Sequence, residues 1–157
     1  MLKKVFTICA ISILNFSTVS GYEIVIDSTM GDYLRNDSTQ TVVDLKRNLV
    51  WQDDESATRV NTNWQEAINY CQNLNLGEYS DWRLPSHKEL LSIVDKSKSD
   101  PAMKSDFKNV TADSYWSSTP YAANASFAWF VGFNSGEDNT DSTQYGNHYV
   151  RCVRNSK

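Results

Sequence analysis

Two cysteines place the tightest constraint on how this chain can fold. The sequence holds three cysteines. Cys9 sits in a short apolar run near the start, whereas Cys71 and Cys152 stand about 80 residues apart in the body of the chain. Residues 1–20 read as a secretory signal. Lys3 and Lys4 make a positive start, residues 5–14 are an apolar run too short to span a bilayer comfortably, and Thr18-Val19-Ser20 offers small residues for cleavage after Ser20 or, alternatively, Gly21. An N-terminal membrane anchor competes with this reading, but no second apolar segment follows. A lipidated cysteine is disfavoured because Cys9 follows the bulky Ile8. Export removes Cys9 and delivers the other two to an oxidising compartment, where one disulfide is expected and two free thiols are the alternative. Such a bridge closes most of the domain and is worth roughly 4.5 kcal/mol in the chain-entropy model.

Export also removes Lys3 and Lys4. Thirteen of the 15 basic residues then face 19 acidic ones, and the formal net charge moves from −4 to −6. An acidic surface disfavours nucleic acid and anionic lipid as partners, and no membrane insertion is expected once the signal is gone. What remains has the length of one domain, with residues 21–40 as an N-terminal arm and residues 41–157 as the domain itself.

Along the body of the chain, strand and helix patterns follow one another. Residues 22–26 alternate weakly as a short strand, and residues 27–40, with Gly31, Asn36, Asp37 and Ser38, read as loop. The β-branched run 41–45, the turn Lys46-Arg47-Asn48 and the apolar run 49–52 make a hairpin, with Asn48 suited to positive φ. Residues 53–60 are a polar connection. Asn63 and Glu66 form a capping-box pattern before a helix whose apolar face is Trp64, Ala67, Ile68, Cys71 and Leu74, with Gly77 as its stop. The hexapeptide Asp81-Trp82-Arg83-Leu84-Pro85-Ser86 leads into a second helix over residues 86–96. Pro85 keeps Leu84 out of helix, and Ser86 with Glu89 repeats the capping box. Leu90, Leu91, Ile93 and Val94 form its buried side. Met103 and Phe107 are core contacts in an otherwise ambiguous stretch, 101–113. Strands are expected at 114–118 and 127–133, then a turn at Asn134-Ser135-Gly136, a polar loop over 137–147 and a closing strand over 148–154. In that strand Tyr149, Arg151 and Val153 face one way, and Val150, Cys152 and Arg154 the other. Hairpin, two helices and then strands is an α+β order with antiparallel pairing.

Taken in order, these pieces resemble a known family. Trp51, Trp64-Gln65-Glu66-Ala67 with Cys71, the hexapeptide with Glu89-Leu90, Tyr115-Trp116-Ser117-Ser118-Thr119, and Val150-Arg151-Cys152-Val153-Arg154 are similar to the domain family named for the C-terminal domain of the Legionella collagen-like adhesin. The resemblance covers residues 41–154. It implies a C-type-lectin-like fold, similar in outline to the formylglycine-generating enzymes, with two helices packed on antiparallel sheets. In that fold a cysteine of the first helix, here Cys71, bridges to one of the last strand, here Cys152. It also implies pairing of the N- and C-terminal strands, which brings residues 41–45 near 148–153, and it makes Trp82, Arg83, Pro85, Trp116 and Arg151 structural motif positions. The family's best-known member is a trimeric adhesin for sulfated glycosaminoglycans. This chain departs from it, because no collagen-like repeat stands before the domain and the domain is acidic. Both departures count against a sulfated ligand.

Residues that carry chemistry are few. His87 and His148 have no metal-ligand spacing, and Glu137-Asp138-Asn139-Thr140-Asp141 lacks the calcium-loop pattern, so neither metal nor cofactor is expected. His87 reads as a surface residue at a helix start. With both cysteines assigned to a bridge and no Ser, His and Asp set at a suggestive spacing, no catalytic residue is expected either. All five tryptophans lie beyond residue 20. Trp64 and Trp129 sit on apolar patterns and read as core; Trp51, Trp82 and Trp116 flank polar residues and read as core or as a stacking platform. Arg83 is expected to pair with a carboxylate such as Asp81 or Asp113. In lectin-like folds the ligand surface is the long-loop side, which the resemblance maps to the region after Trp116 and to residues 137–147. Tyr121, Asn134, Asp138, Asn139, Asp141 and Tyr145 are the ligand contacts expected there. The expected function is an exported, noncatalytic domain that binds a glycan or an envelope or host protein, in the periplasm, at the cell surface or in the medium. The alternative is an assembly module of an envelope complex without a small ligand, and an enzyme of the sulfatase-modifying type ranks third.

Overall fold

The computed structural model describes residues 31–156 and the backbone of two strands before them, β1 (Asn15–Val19) and β2 (Tyr22–Ile26). These two pair antiparallel, with Asn15 opposite Ile26 and Val19 opposite Tyr22, inside a compact unit of their own. β2 is the short strand that its alternation predicts. The charged start and apolar run of the expected signal, and its cleavage position at Ser20 or Gly21, lie outside the described residues.

Residues 32–156 form the second unit, which contains two sheets. The first is antiparallel and has the order β11 (Val153–Asn155), β5 (Leu49–Gln52), β4 (Thr41–Asp44), β3 (Tyr33–Asn36). Its β4–β5 hairpin closes as the turn residues dictate. Asn48 takes a φ of 54°, and Asp44 Oδ1 accepts the backbone N–H groups of Lys46 and Arg47 at 3.1 and 3.0 Å. β3 falls in the stretch read as loop. It forms because Tyr33 buries its ring and donates its hydroxyl to Ser92 O at 2.9 Å. The C-terminal strand pairs with β5, placing Val153 opposite Trp51, rather than with residues 41–45, which lie one strand further in.

The second sheet has the order β6 (Asn61–Thr62), β10 (His148–Tyr149), β7 (Ser114–Pro120), β8 (Phe127–Gly132), β9 (Glu137–Ser142). Its pairings are antiparallel except β10 with β7. Two expectations change here. Residues 137–147 are not loop throughout, because β9 pairs with β8 from Glu137 opposite Gly132 to Ser142 opposite Phe127. β9 lies at the sheet edge and fully buries none of its residues, so it carries no apolar alternation. Residues 148–154 form two short strands in different sheets, and the chain crosses between the sheets at residues 150–152. The predicted alternation survives the crossing: Tyr149 and Val153 pack in one core, Val150 and Cys152 in the other.

Helix α1 (Trp64–Asn73) starts where Asn63 accepts the Glu66 N–H at 3.0 Å. This is a one-sided cap rather than a full box. Gly77 does not end the helix, since Leu74 is already the extended cap; with a φ of 61°, Gly77 instead turns the chain between Leu76 and Tyr79, whose backbones bond each other at 3.1 Å. Helix α2 (His87–Ser92) has the complete box: Glu89 N–H donates to Ser86 Oγ at 3.3 Å, and Ser86 N–H donates to Glu89 Oε2 at 2.8 Å. It stops at Ser92, a turn short of residue 96, because Val94 bridges to Met103 and Asp95 N–H donates to Ala102 O.

Two cores result. One gathers Trp51, Leu90, Ile93, Met103, Phe107, Tyr115, Val131, Phe133 and Val153; the other gathers Val50, Ala67, Cys71, Trp82, Leu84, Trp116, Ala128, Val150 and Cys152. The second contains the Cys71–Cys152 disulfide, which joins α1 to the residue preceding β11. Beside it Arg151, fully buried, donates Nη1 to Gln52 O at 2.6 Å and to Asp53 Oδ1 at 2.9 Å. The hexapeptide fastens this assembly together. Asp81 takes the Arg154 guanidinium through two bonds of 2.6 and 3.0 Å, Arg83 exchanges backbone bonds with Val153, and Pro85 O accepts Ser118 N–H.

Cys71→Ser is expected to lower unfolding stability by roughly 4–5 kcal/mol, read from urea denaturation of the oxidised proteins. A midpoint equal to wild type would contradict the role given to the bridge.

Candidate functional site

Of the five tryptophans, Trp51, Trp82 and Trp116 take the core reading that the sequence left open, whereas Trp64 and Trp129 depart from theirs. Trp51 and Trp116 are fully buried and Trp82 is 3% exposed, with the Trp82 and Trp116 indole N–H groups satisfied by Tyr79 O at 3.1 Å and Thr62 O at 2.9 Å. Trp64 and Trp129, read as core, are only half-buried. Trp129 is already occupied by other rings. The His87 imidazole stacks on it at 4.6 Å and 16°, and Tyr121 meets it edge-on at 5.7 Å. Asp138 Oδ2 lies 2.7 Å from His87 Nε2, outside hydrogen-bond alignment. His87 is therefore part of a packed cluster and not a free surface histidine.

Trp64 differs. Among the described residues it makes no ring contact. Its indole N–H donates to Ser117 O at 2.7 Å, which fixes the ring plane. It lines a cleft of about 370 Å³ with Asn63, Gln65 and Glu66 from the start of α1 and Thr143 and Gln144 from the β9–β10 loop. The loop wall is held firmly. Thr143 N–H and Oγ1 both donate to Ser126 O, at 2.9 and 3.1 Å, and Gly146 N–H donates to Ser142 O at 2.9 Å. The neighbouring Tyr145 is 79% exposed. A fixed aromatic face amid amides, a hydroxyl and one carboxylate is suited to a ligand with one apolar face and many hydroxyl groups.

The six expected ligand contacts do not converge. Tyr121 meets Trp129, and Asp138 reaches the His87 ring stacked on it, while Tyr145 is exposed and follows Gln144 of the Trp64 cleft in sequence. Asn134 spends its side-chain oxygen on Ser135 N–H, and Asn139 does the same for Thr140 N–H. Asp141 faces His148, whose Nε2 lies 3.1 Å away, while His148 Nδ1 lies 2.5 Å from Ser114 Oγ. This Ser, His and Asp line was invisible in the spacing. Its imidazole is wedged between Phe130, stacked at 4.3 Å, and Trp116, edge-on at 4.3 Å, so the line ties β10 across the sheet to β7 and β9. Gly146 is required beside it, because a Cβ there would stand 2.5 Å from Asp141 Oδ2. Among the described residues, no three His, Cys, Asp or Glu side chains gather as metal ligands.

Arg83 pairs with neither Asp81 nor Asp113. Its guanidinium forks onto Glu89 at 2.8 and 2.7 Å. Burial works against the Glu89 charge, but Arg83 and the Ser86 backbone and hydroxyl hold its carboxyl below the usual range. Sequence reasoning missed Asn63, Gln65, Glu66, Thr143 and Gln144. Their only signal was amide side chains clustered beside a tryptophan, and the two halves are far apart in the chain.

The model of the family described as Lcl C-terminal domain matches residues 40–154. No curated protein matches the chain.

Burial pushes the His148 imidazole below its ordinary value, against the opposing pull of Asp141 and Asp113. The folded state then binds fewer protons than the unfolded one. The stability this contributes is complete above about pH 6.5 and drains away as pH falls toward the folded value. Thermal melts should show the midpoint dropping between pH 7 and 5, and His148→Gln should flatten that drop. Equal slopes would contradict the assignment.

Proposed function

The chain belongs to the Lcl C-terminal domain family, and on that premise we propose that it is an exported recognition domain that binds a glycan in the Trp64 cleft. The family is adhesin-associated and non-enzymatic. The disulfide and the secretory character of residues 1–20 support export. One observation carries the binding site: Trp64 is half-buried, its indole N–H is held by Ser117 O, and it lines a cleft of small-ligand size. The scaffold behind it is rigid, since α1 is fastened to the residue before β11 by the disulfide and the loop wall is fastened to Ser126. A preformed site spends little binding energy on ordering itself.

A glycan array probed with the mature domain tests this. Trp64→Ala should weaken every positive signal by about tenfold or more, the effect of removing a central aromatic anchor, while Trp129→Ala leaves binding intact. Matching circular dichroism spectra control for folding. A uniformly negative array, with a protein partner recovered by crosslinking, would replace this reading with an assembly module.

A further inference from the structure

We infer that the Trp64 cleft selects an uncharged pyranose and rejects sulfated or carboxylated glycans; the inference rests on the glycan-binding reading of that cleft. The polar groups left unused in the lining carry the argument. Asn63 gives its side-chain oxygen to Glu66 N–H, which leaves the Asn63 amide nitrogen available as a donor. Gln65 donates its amide nitrogen to Asn69 Oδ1 at 3.2 Å, which leaves its oxygen as an acceptor. The Glu66 carboxylate and the Gln144 side-chain amide make no hydrogen bond to a described residue, and both residues border the cleft.

These groups therefore offer donors and acceptors side by side. A sugar hydroxyl is both donor and acceptor, so adjacent hydroxyls can satisfy an amide and a carboxylate at once. The Trp64 N–H is spent on Ser117 O, so the ring contributes only its face. That face is electronegative and suits the C–H side of a pyranose.

Charge then sets the class. Among the described residues of the lining, Glu66 is the one ionisable group, and none is Lys, Arg or His. A sulfate or carboxylate brought there would find no cationic fork and would face a like charge. The chain as a whole is also acidic, at −4.

Tryptophan fluorescence titrations at low and high salt test the inference with named probes. These are maltopentaose, cellopentaose and mannopentaose as neutral sugars, a heparin octasaccharide as the anion, and an oligolysine peptide. At least one neutral probe should bind with a Kd that changes by less than about twofold with salt, because an uncharged ligand releases no counterions. Gln144→Ala should weaken it about tenfold. Glu66→Gln removes the like charge and should raise the affinity for heparin relative to that for the neutral probes. Heparin binding that disappears in Trp64→Ala, with neutral probes silent, would overturn the neutral class yet leave the cleft as the site. Binding indifferent to Trp64→Ala, or no binding by any sugar, would remove the cleft reading and this inference together. Preferential binding of oligolysine would also overturn it.

Discussion

A single buried guanidinium organises the larger unit. Arg151 is removed from solvent between the rings of Phe107 and Tyr115, its Cζ 5.1 and 5.6 Å from their centroids. Burial drags its pKa down, yet an arginine keeps its charge in any folded environment. That charge has to be matched, and Asp53, equally buried, matches it at 2.9 Å. Asp53 in turn accepts the backbone N–H groups of Lys108 and Asn109 at 2.9 and 3.2 Å and forms an ion pair with the guanidinium of Arg35. Buried pairs of this kind add little net stability compared with apolar residues of the same shape. What they impose is a register. Here the pair fixes β5, β3, residues 108–109 and the crossing segment 150–152 against one another. Cys152 is thereby presented to α1, where the disulfide makes the arrangement permanent.

From that node the two faces of the five-stranded sheet follow by parity. α2 covers one face over Tyr115 and Val131, and α1 covers the other over Trp116 and Ala128. The start of α1 then lies beside the β9–β10 loop, and Trp64 closes the floor between them. His148 supports the same loop from below through Asp141. The cleft is thus a consequence of how helix and sheet are fastened, and it draws on residues that no local pattern would group.

Much of the fold was legible in the residues. The disulfide followed from the cysteine count, the β4–β5 turn from Asn48, the start of α2 from Ser86 and Glu89, and the strands β7 and β8 from their aromatic and β-branched runs. The failures share physical causes. β9 is an edge strand that fully buries none of its residues, so its polar sequence is indistinguishable from loop until β8 is placed beside it. The final strand looked continuous because alternation persists through the crossing at residues 150–152. Trp51, Trp82 and Trp116 are core, as one of their two readings had it, whereas Trp64 and Trp129 were misread because an apolar local pattern does not say which side chain a second strand or helix will cover. The candidate site was the least legible part. It joins residues 63–66 to 143–144, and only tertiary structure brings them together.

The most direct test of the account follows side-chain N–H resonances in a ¹H–¹⁵N spectrum of the mature domain while a bound neutral oligosaccharide is titrated to saturation. The account predicts that the Trp64 indole and Gln144 amide signals move with a common Kd, while the Trp51, Trp82 and Trp116 indoles stay still. Movement centred on Trp129, with Trp64 and Gln144 unchanged, would contradict it.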